Sequence, residues 1–411
     1  MPLKTECRMC HGSKLKTYLD LGFHPHSDGF LTRDQLDDKE SYYPLRVAIC
    51  PDCGLHQLDY VVPKEDLYNQ DYLYESSVSD TGKKHYYSMA ESIAGKLGLE
   101  KDSLIVDIGS NVGVLLEGFQ KVGMKVMGVD PAPRIAEIAN KRGIHTINGF
   151  FDQDAVKQII ESSGRASVVT GTNVFAHIDD LDALMRGIKT LLVDNGVFIF
   201  ELPYLVEMIE NLEYDTIYHQ HLSYVSVKPL IRFFKKYGME IFDIGMEYYI
   251  HGGSLRFFVG EEKKRGIASI VEMLFDLEEE KGMYSMPRLE QFSKDVQQHR
   301  LNLGTMLIDI KKQGKRIAGI GAAAKGNTLL NYCGIHSGIL DYLTEKSTLK
   351  IGRYSPGMHI PVVSDDELMN DPPDYGLILP WNLSEEIMKH LKGFKEAGGK
   401  FIIPIPYPRI M

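Results

Sequence analysis

Apolar positions along the chain fall into patterns that change twice. Up to about residue 70 they form short β-like runs, such as Leu45–Ala48, among polar and turn-forming residues. From Ser79 to Gly98 the chain is polar and compatible with a helix. Apolar runs then alternate with helical segments: Leu104–Ile108, Lys125–Val129, Ser167–Thr170 and Val197–Phe200. That alternation predicts βαβ units around a parallel sheet. After Gly260 a long charged region, Ile267 to about Lys312, carries apolar residues at helical spacing. A second α/β pattern follows, with strands expected at Arg316–Ile320, Tyr375–Leu379 and Lys400–Ile403. The fold class is therefore α/β, in three expected domains over residues 1–70, 71–260 and 261–411.

Composition narrows the class of function. A chain of 411 residues can bury two or three cores, and 44% hydrophobic with 25% charged residues is ordinary globular protein. The net charge of −10, with no Lys/Arg block, argues against nucleic acid as a partner. The N-terminus, MPLKTECRMCHG, has no apolar run, so no signal peptide is expected. No stretch approaches the ~18 apolar residues of a membrane span. A cytoplasmic protein is the expectation, its five cysteines reduced thiols whose spacing reads as metal binding. A monomer is compatible with the pattern.

Cys7 and Cys10 form one C-x-x-C pair, and Cys50 and Cys53 another. Two such pairs can supply the tetrahedral thiolate cage of structural Zn²⁺, a closed site with no open position. Gly12 and Gly54, just after each pair, suit the tight turns required. Four cysteines make His11 and His56 unnecessary as ligands. A second motif, Asp107-Ile108-Gly109-Ser110-Asn111-Val112-Gly113, follows an expected strand and opens an expected helix, where backbone amides can hold a ligand. It lacks G-x-G-x-x-G and is similar instead to the first motif of class I S-adenosylmethionine (SAM)-dependent methyltransferases. Asp130-Pro131 ends the next strand about twenty residues on, where an acid can accept both hydrogen bonds of a ribose diol. A generic βα turn followed by a surface Asp would give the same letters. Asn173, Phe175 and His177 follow the third strand on the same sheet edge and are candidates for the methionine end of such a cofactor.

Proton-transfer candidates cluster in Tyr214–Tyr224, which contains Tyr218-His219-Gln220-His221 and Tyr224. Histidine takes a proton near neutral pH, and phenols donate beside it. His-x-His is also a metal-pair spacing, and an aromatic core strand would read alike. Further polar clusters are His251-Gly252-Gly253-Ser254 and the segment holding Tyr72 and Tyr74. In the last third, Gly319–Thr328 is a turn of small residues in which Lys325 can neutralise a phosphate, with Asn327 beside it. Arg353, His359 and Trp381 are candidates around it. Cys333 reads as a small buried residue.

Taken in order, these motifs resemble the sugar C-3-methyltransferases of deoxysugar pathways over essentially the whole chain. The matches are the paired C-x-x-C, D-x-G-x-N, Y-x-Y-x-S-S-x-S, Asn-Val-Phe-Ala-His, Y-H-x-H, His-Gly-Gly-Ser and A-x-x-K-G. The resemblance implies a zinc domain, a central SAM domain and a C-terminal Rossmann-like domain that helps hold a nucleotide. It implies His221 as the base at C3 beside a C4 ketone, Tyr218 and Tyr72 or Tyr74 as partners, and a nucleotide-diphosphate 4-keto-6-deoxysugar as substrate. The chain departs from the family at Gln220, where the family has Glu, at Val112, where it has Asp, and across Leu343–Gly352. A hydroxyl or amine acceptor, or a non-catalytic zinc and nucleotide-binding homologue, are the alternatives.

Overall fold

The protein is described by a computed structural model covering residues 3–67, 80–247 and 253–411. Among these residues the strands form three sheets. The first is antiparallel, in the order Lys16–His24, Tyr43–Ile49, His56–Leu58 and Ser223–Tyr224. Its last strand arrives from far along the chain, pairing Gln57 with Ser223 and His56 with Tyr224. The β-like run Leu45–Ala48 lies inside the second strand.

The central sheet is ordered Met239–Glu247, Ser254–Glu261, Leu192–Pro203, Ala166–Thr172, Leu104–Ile108, Lys125–Asp130, Thr146–Asn148. From Leu192–Pro203 onward the strands are parallel, as expected. Leu104–Ile108 is buried throughout, because a parallel strand is covered on both faces. It has Lys125–Asp130 on one side and Ala166–Thr172 on the other, so chain order reverses at its carboxyl end. Open α/β sheets take ligands at such a point. The antiparallel pair Met239–Glu247 and Ser254–Glu261 is not announced by the pattern. Along Met239–Glu247 buried and half-buried positions do not alternate strictly.

The third sheet is ordered Val362–Ser364, Leu343–Glu345, Ile317–Ile320, Tyr375–Ile378, Lys400–Ile403, Arg409–Ile410. Counted in chain order this is 3-2-1-4-5-6, the doubly wound dinucleotide-type order, with only the last strand antiparallel. The long charged region is two helices, Ser269–Glu280 and Met286–Lys312, separated at Gly282, whose φ of 68° ends the first. The longer helix buries Leu289, Phe292, Val296, His299, Leu303, Leu307 and Ile310 along one face. One hydrophobic core runs through all three sheets, from Cys7 to Ile405. No helix among the described residues is long and apolar enough to cross a membrane.

Candidate active site

The metal centre follows from two backbone turns of one design. Cys7 and Cys50 each accept a hydrogen bond at their carbonyl from the residue four positions on, His11 and Gly54. Those two residues take φ of 60° and 89°. At the first turn the left-handed residue is therefore His11 rather than Gly12. Gly12 has no left-handed φ, and a Cβ there would meet only the movable end of the exposed Asp52 side chain, Oδ2 at 2.3 Å. The turns bring the four Sγ atoms within 4.8 Å of one another, with Cys7–Cys53 and Cys10–Cys50 at 3.5 Å. Zinc held at ~2.3 Å by four thiolates needs sulfurs about 3.8 Å apart, which this cluster fits. His11 instead meets Asp182 at 2.6 Å, and His56 bonds Tyr18 and the Met283 carbonyl.

The cofactor loop forms at the reversal point of the central sheet. Gly109, Asn111 and Gly113 take φ of 63°, 50° and 81° before the helix Val114–Lys121. A Cβ on Gly109 would lie 2.4 Å from Val174, so only glycine allows this approach. Asp130 accepts from the Asn111 and Ala132 amides, each at 2.9 Å, and tightens the loop around its own carboxylate. Burial pushes its carboxyl up to about 6. Asp107, to which Thr170 donates at 2.7 Å, is pushed up to about 7 by burial.

A cleft of about 860 Å³ opens from this loop. Its wall includes Asp107, Gly109, Asn111, Asp130, Pro131, Asn173 and His177 from the central sheet. Tyr218, Gln220 and His221 come from the segment after it, and Gly321–Lys325 with Asn382 from the third sheet. His221 Nδ1 lies 2.7 Å from the Thr216 carbonyl. A carbonyl only accepts, so Nδ1 carries the proton and Nε2 is the proton-accepting nitrogen. The Tyr218 ring packs 4.0 Å from the His221 ring, centre to centre, and the His177 ring lies 5.1 Å from it. Burial holds His177 down at about 4, so it is neutral beside His221.

Lys325 lies over the Trp381 ring at 4.4 Å and donates to Asn382. Burial lowers its affinity for a proton, which the Asp215 and Glu213 carboxylates oppose. Trp381 itself donates to Asp215 at 2.7 Å, so it ties the third sheet to the segment leading into His221.

Comparison with known proteins agrees with this layout. Family models match a putative zinc binding domain over residues 7–68, a methyltransferase domain over 83–243 and a C-methyltransferase C-terminal domain over 249–406. The C-methyltransferase NovU of Streptomyces niveus is 33% identical over 410 residues, covering 99% of this chain and 96% of its own. The chain belongs to the C-methyltransferase family that its motifs resemble. A ubiquinone biosynthesis O-methyltransferase of Colwellia psychrerythraea is 24% identical over 179 residues, covering 40% of this chain and 72% of its own. Among solved structures, the Synechocystis magnesium protoporphyrin IX methyltransferase with bound SAM is 13% identical. It covers 44% of this chain and 79% of its own at a TM-score of 0.34.

This C-methyltransferase uses SAM and carries zinc. Its acceptor atom is carbon, rather than the hydroxyl or amine left open by sequence. Several expected site residues are occupied elsewhere. His219 lies 3.3 Å from the Pro44 carbonyl, packed on Tyr43, and burial holds it near 4. Phe175 stacks on Phe200 in the core. Tyr224 is a buried strand residue of the first sheet. Gly253 accepts from the Tyr204 amide and Ser254 opens a strand, so neither forms the cleft wall. Asn327 donates to the Ser27 carbonyl at 2.6 Å, Arg353 to the Phe30 carbonyl at 3.2 Å, and His359 meets Glu40 at 3.0 Å. All three fasten the N-terminal region to the third sheet. Tyr72, Tyr74 and His251 lie outside the described residues. Conversely, Asp28 lines the cleft without any local motif to mark it, and Lys350 joins it from the stretch Leu343–Gly352, where the chain departs from the family.

Proposed function

We propose that this enzyme methylates the carbon next to the ketone of a nucleotide-diphosphate 4-keto-6-deoxysugar, with His221 as general base. The observation that carries the reading is the His221 Nδ1 bond to the Thr216 carbonyl, in a cleft shared by the cofactor loop and the third sheet. A carbon beside a ketone is acidic enough for a positioned imidazole, provided a donor stabilises the oxyanion. His221 Nε2 takes that proton, and the Tyr218 phenol is the donor type needed at the oxygen. Bound SAM supplies an electrophilic methyl group, its ribose held by Asp130 and its remainder along Asp107, Gly109, Asn111 and Asn173. Gly321–Lys325, at the carboxyl end of the first strand of the third sheet, suits the diphosphate through its amides and the Lys325 ammonium. Residues 1–70, 71–260 and 261–411 then act as the zinc, cofactor and nucleotide units of a cytoplasmic enzyme.

The test is His221→Asn. Zinc content and SAM affinity should stay at wild-type values while turnover of the keto-sugar falls about 10²–10⁴-fold. Exchange of the adjacent carbon-bound proton with deuterated solvent, if the wild type shows it, should stop. Tyr218→Phe should cost about 10²–10³-fold or less. Near-normal methyl transfer by His221→Asn would sink the assignment.

A further inference from the structure

The chain between His24 and Leu31 does not stay with its own sheet. It runs between the segment carrying His221 and the third sheet, and both sides hold it. Ser27 Oγ donates to Gln220 Oε1 at 3.1 Å, and the Ser27 carbonyl accepts from Asn327 at 2.6 Å. The Phe30 carbonyl accepts from Arg353, and Leu31 and Tyr354 exchange both backbone hydrogen bonds, at 3.0 and 2.8 Å. The residue fixed at the centre of this path is Asp28. It is 5% exposed and lines the cleft with Tyr218 and His221.

The two carboxylate oxygens of Asp28 differ. Oδ2 accepts from Gln220 Nε2 at 3.0 Å. Oδ1 is buried without a hydrogen-bond partner among the described residues. The Lys350 ammonium stands 3.9 Å from it, beyond hydrogen-bond reach, and donates instead to the Ala322 carbonyl at 2.8 Å. A buried carboxylate oxygen lacking a donor is costly, so a donor arriving with a ligand is favoured there. The nearby Lys350 charge opposes a metal cation in that position. What fits is a neutral hydroxyl.

We propose that Asp28 Oδ1 accepts a hydrogen bond from a ring hydroxyl of the acceptor sugar and so selects acceptors that carry it. Gln220 and Lys350 are its positioning residues. The amide of Gln220 both donates to Asp28 and accepts from Ser27, which a carboxylate at 220 cannot do, since it would face Asp28 at about the same distance as a like charge. The inference rests on the sugar-acceptor reading above, and the experiment separates the two.

The zinc-loaded full chain and its Asp28→Asn variant are compared with thymidine diphosphate 4-keto-6-deoxyglucose and with analogues lacking one ring hydroxyl each. Wild type should prefer the hydroxylated sugar over one analogue by about 10- to 100-fold in kcat/KM, the range of a charge-assisted hydrogen bond. Asp28→Asn should level that preference, through KM more than kcat, with zinc content and SAM affinity unchanged. A variant that keeps the wild-type preference within twofold overturns the proposal. If wild type transfers no methyl to the keto-sugar, the substrate reading fails. Calorimetry of the same sugars with S-adenosylhomocysteine present then decides Asp28, and equal affinities in wild type and variant overturn it. Should Asp28→Asn not fold, Gln220→Met releases the carboxylate instead. It should raise KM for the sugar while sparing SAM, and an unchanged KM overturns the proposal.

Discussion

At the scale of single residues, burial sets the chemistry of the cofactor site. Asp130 is pushed up to about 6 by desolvation, against two backbone amides that lower it. Only the carboxylate accepts both hydrogen bonds of a ribose diol, so SAM affinity should weaken as pH falls below 6. The slope should approach about tenfold per unit and fall in Asp130→Asn to what the neighbouring Asp107, itself pushed up by burial, contributes. Titration of SAM binding between pH 5 and 8 checks this, and a flat wild-type profile would place the ribose elsewhere. The same shift has the opposite sign for folding. A carboxyl whose folded value exceeds its unfolded one stabilises the protein in acid, and that contribution is lost as pH rises through about 4 to 6. Asp130→Ala should weaken SAM binding by about 1.5–3 kcal/mol per hydrogen bond lost, with the fold intact.

Single elements, too, depend on residues remote in sequence. The helix Val227–Lys235 has no acid in its first turn and no side-chain cap of its own. Its amide ends are satisfied by Glu278 of the neighbouring helix Ser269–Glu280, which accepts from Val227 at 2.7 Å and Lys228 at 3.1 Å. Tyr204 and Tyr284 donate to the same carboxylate. Glu278→Ala leaves two amides and two phenols without that acceptor, and stability in urea should fall by about 2–4 kcal/mol. A loss under about 0.5 kcal/mol would mean that water replaces the cap.

For the whole molecule, the zinc region is part of the catalytic body. A closed four-cysteine site reads from sequence as purely structural, remote from chemistry. In the fold, Leu58 donates to the Leu222 carbonyl at 3.0 Å and His56–Gln57 pair with Ser223–Tyr224, directly after His221. The same region delivers Asp28 to the cleft. About one Zn²⁺ per chain is expected by elemental analysis. Stripping it by chelator, or Cys50→Ser, should lower the melting temperature and turnover together. Protein that loses zinc yet keeps full activity would contradict this coupling.

Sequence alone determined whatever depends on neighbours within a few turns of chain. Leu104–Ile108 and Lys400–Ile403 were legible at their observed bounds because strands in a parallel sheet are covered on both faces and mostly apolar, broken here only by Asp107 and by the exposed Lys400 at the strand's start. The C-x-x-C spacing and the glycines of the cofactor loop were legible because metal reach and positive φ are local constraints. Tertiary structure decided the rest. His221 and His219 are chemically equivalent in sequence. Packing gives one the Thr216 carbonyl within the cleft and the other a buried place beside Pro44. Arg353, His359 and Trp381 looked like ligand contacts because polar side chains on loops advertise no partner, and here they fasten parts of the chain together. Asp28 and Gln220 stand 192 residues apart, and no periodicity or motif spans that distance. Their pairing exists only because a shared core closes around both, and the charge and hydrogen-bond needs of the buried groups then decide which side chains meet the cleft.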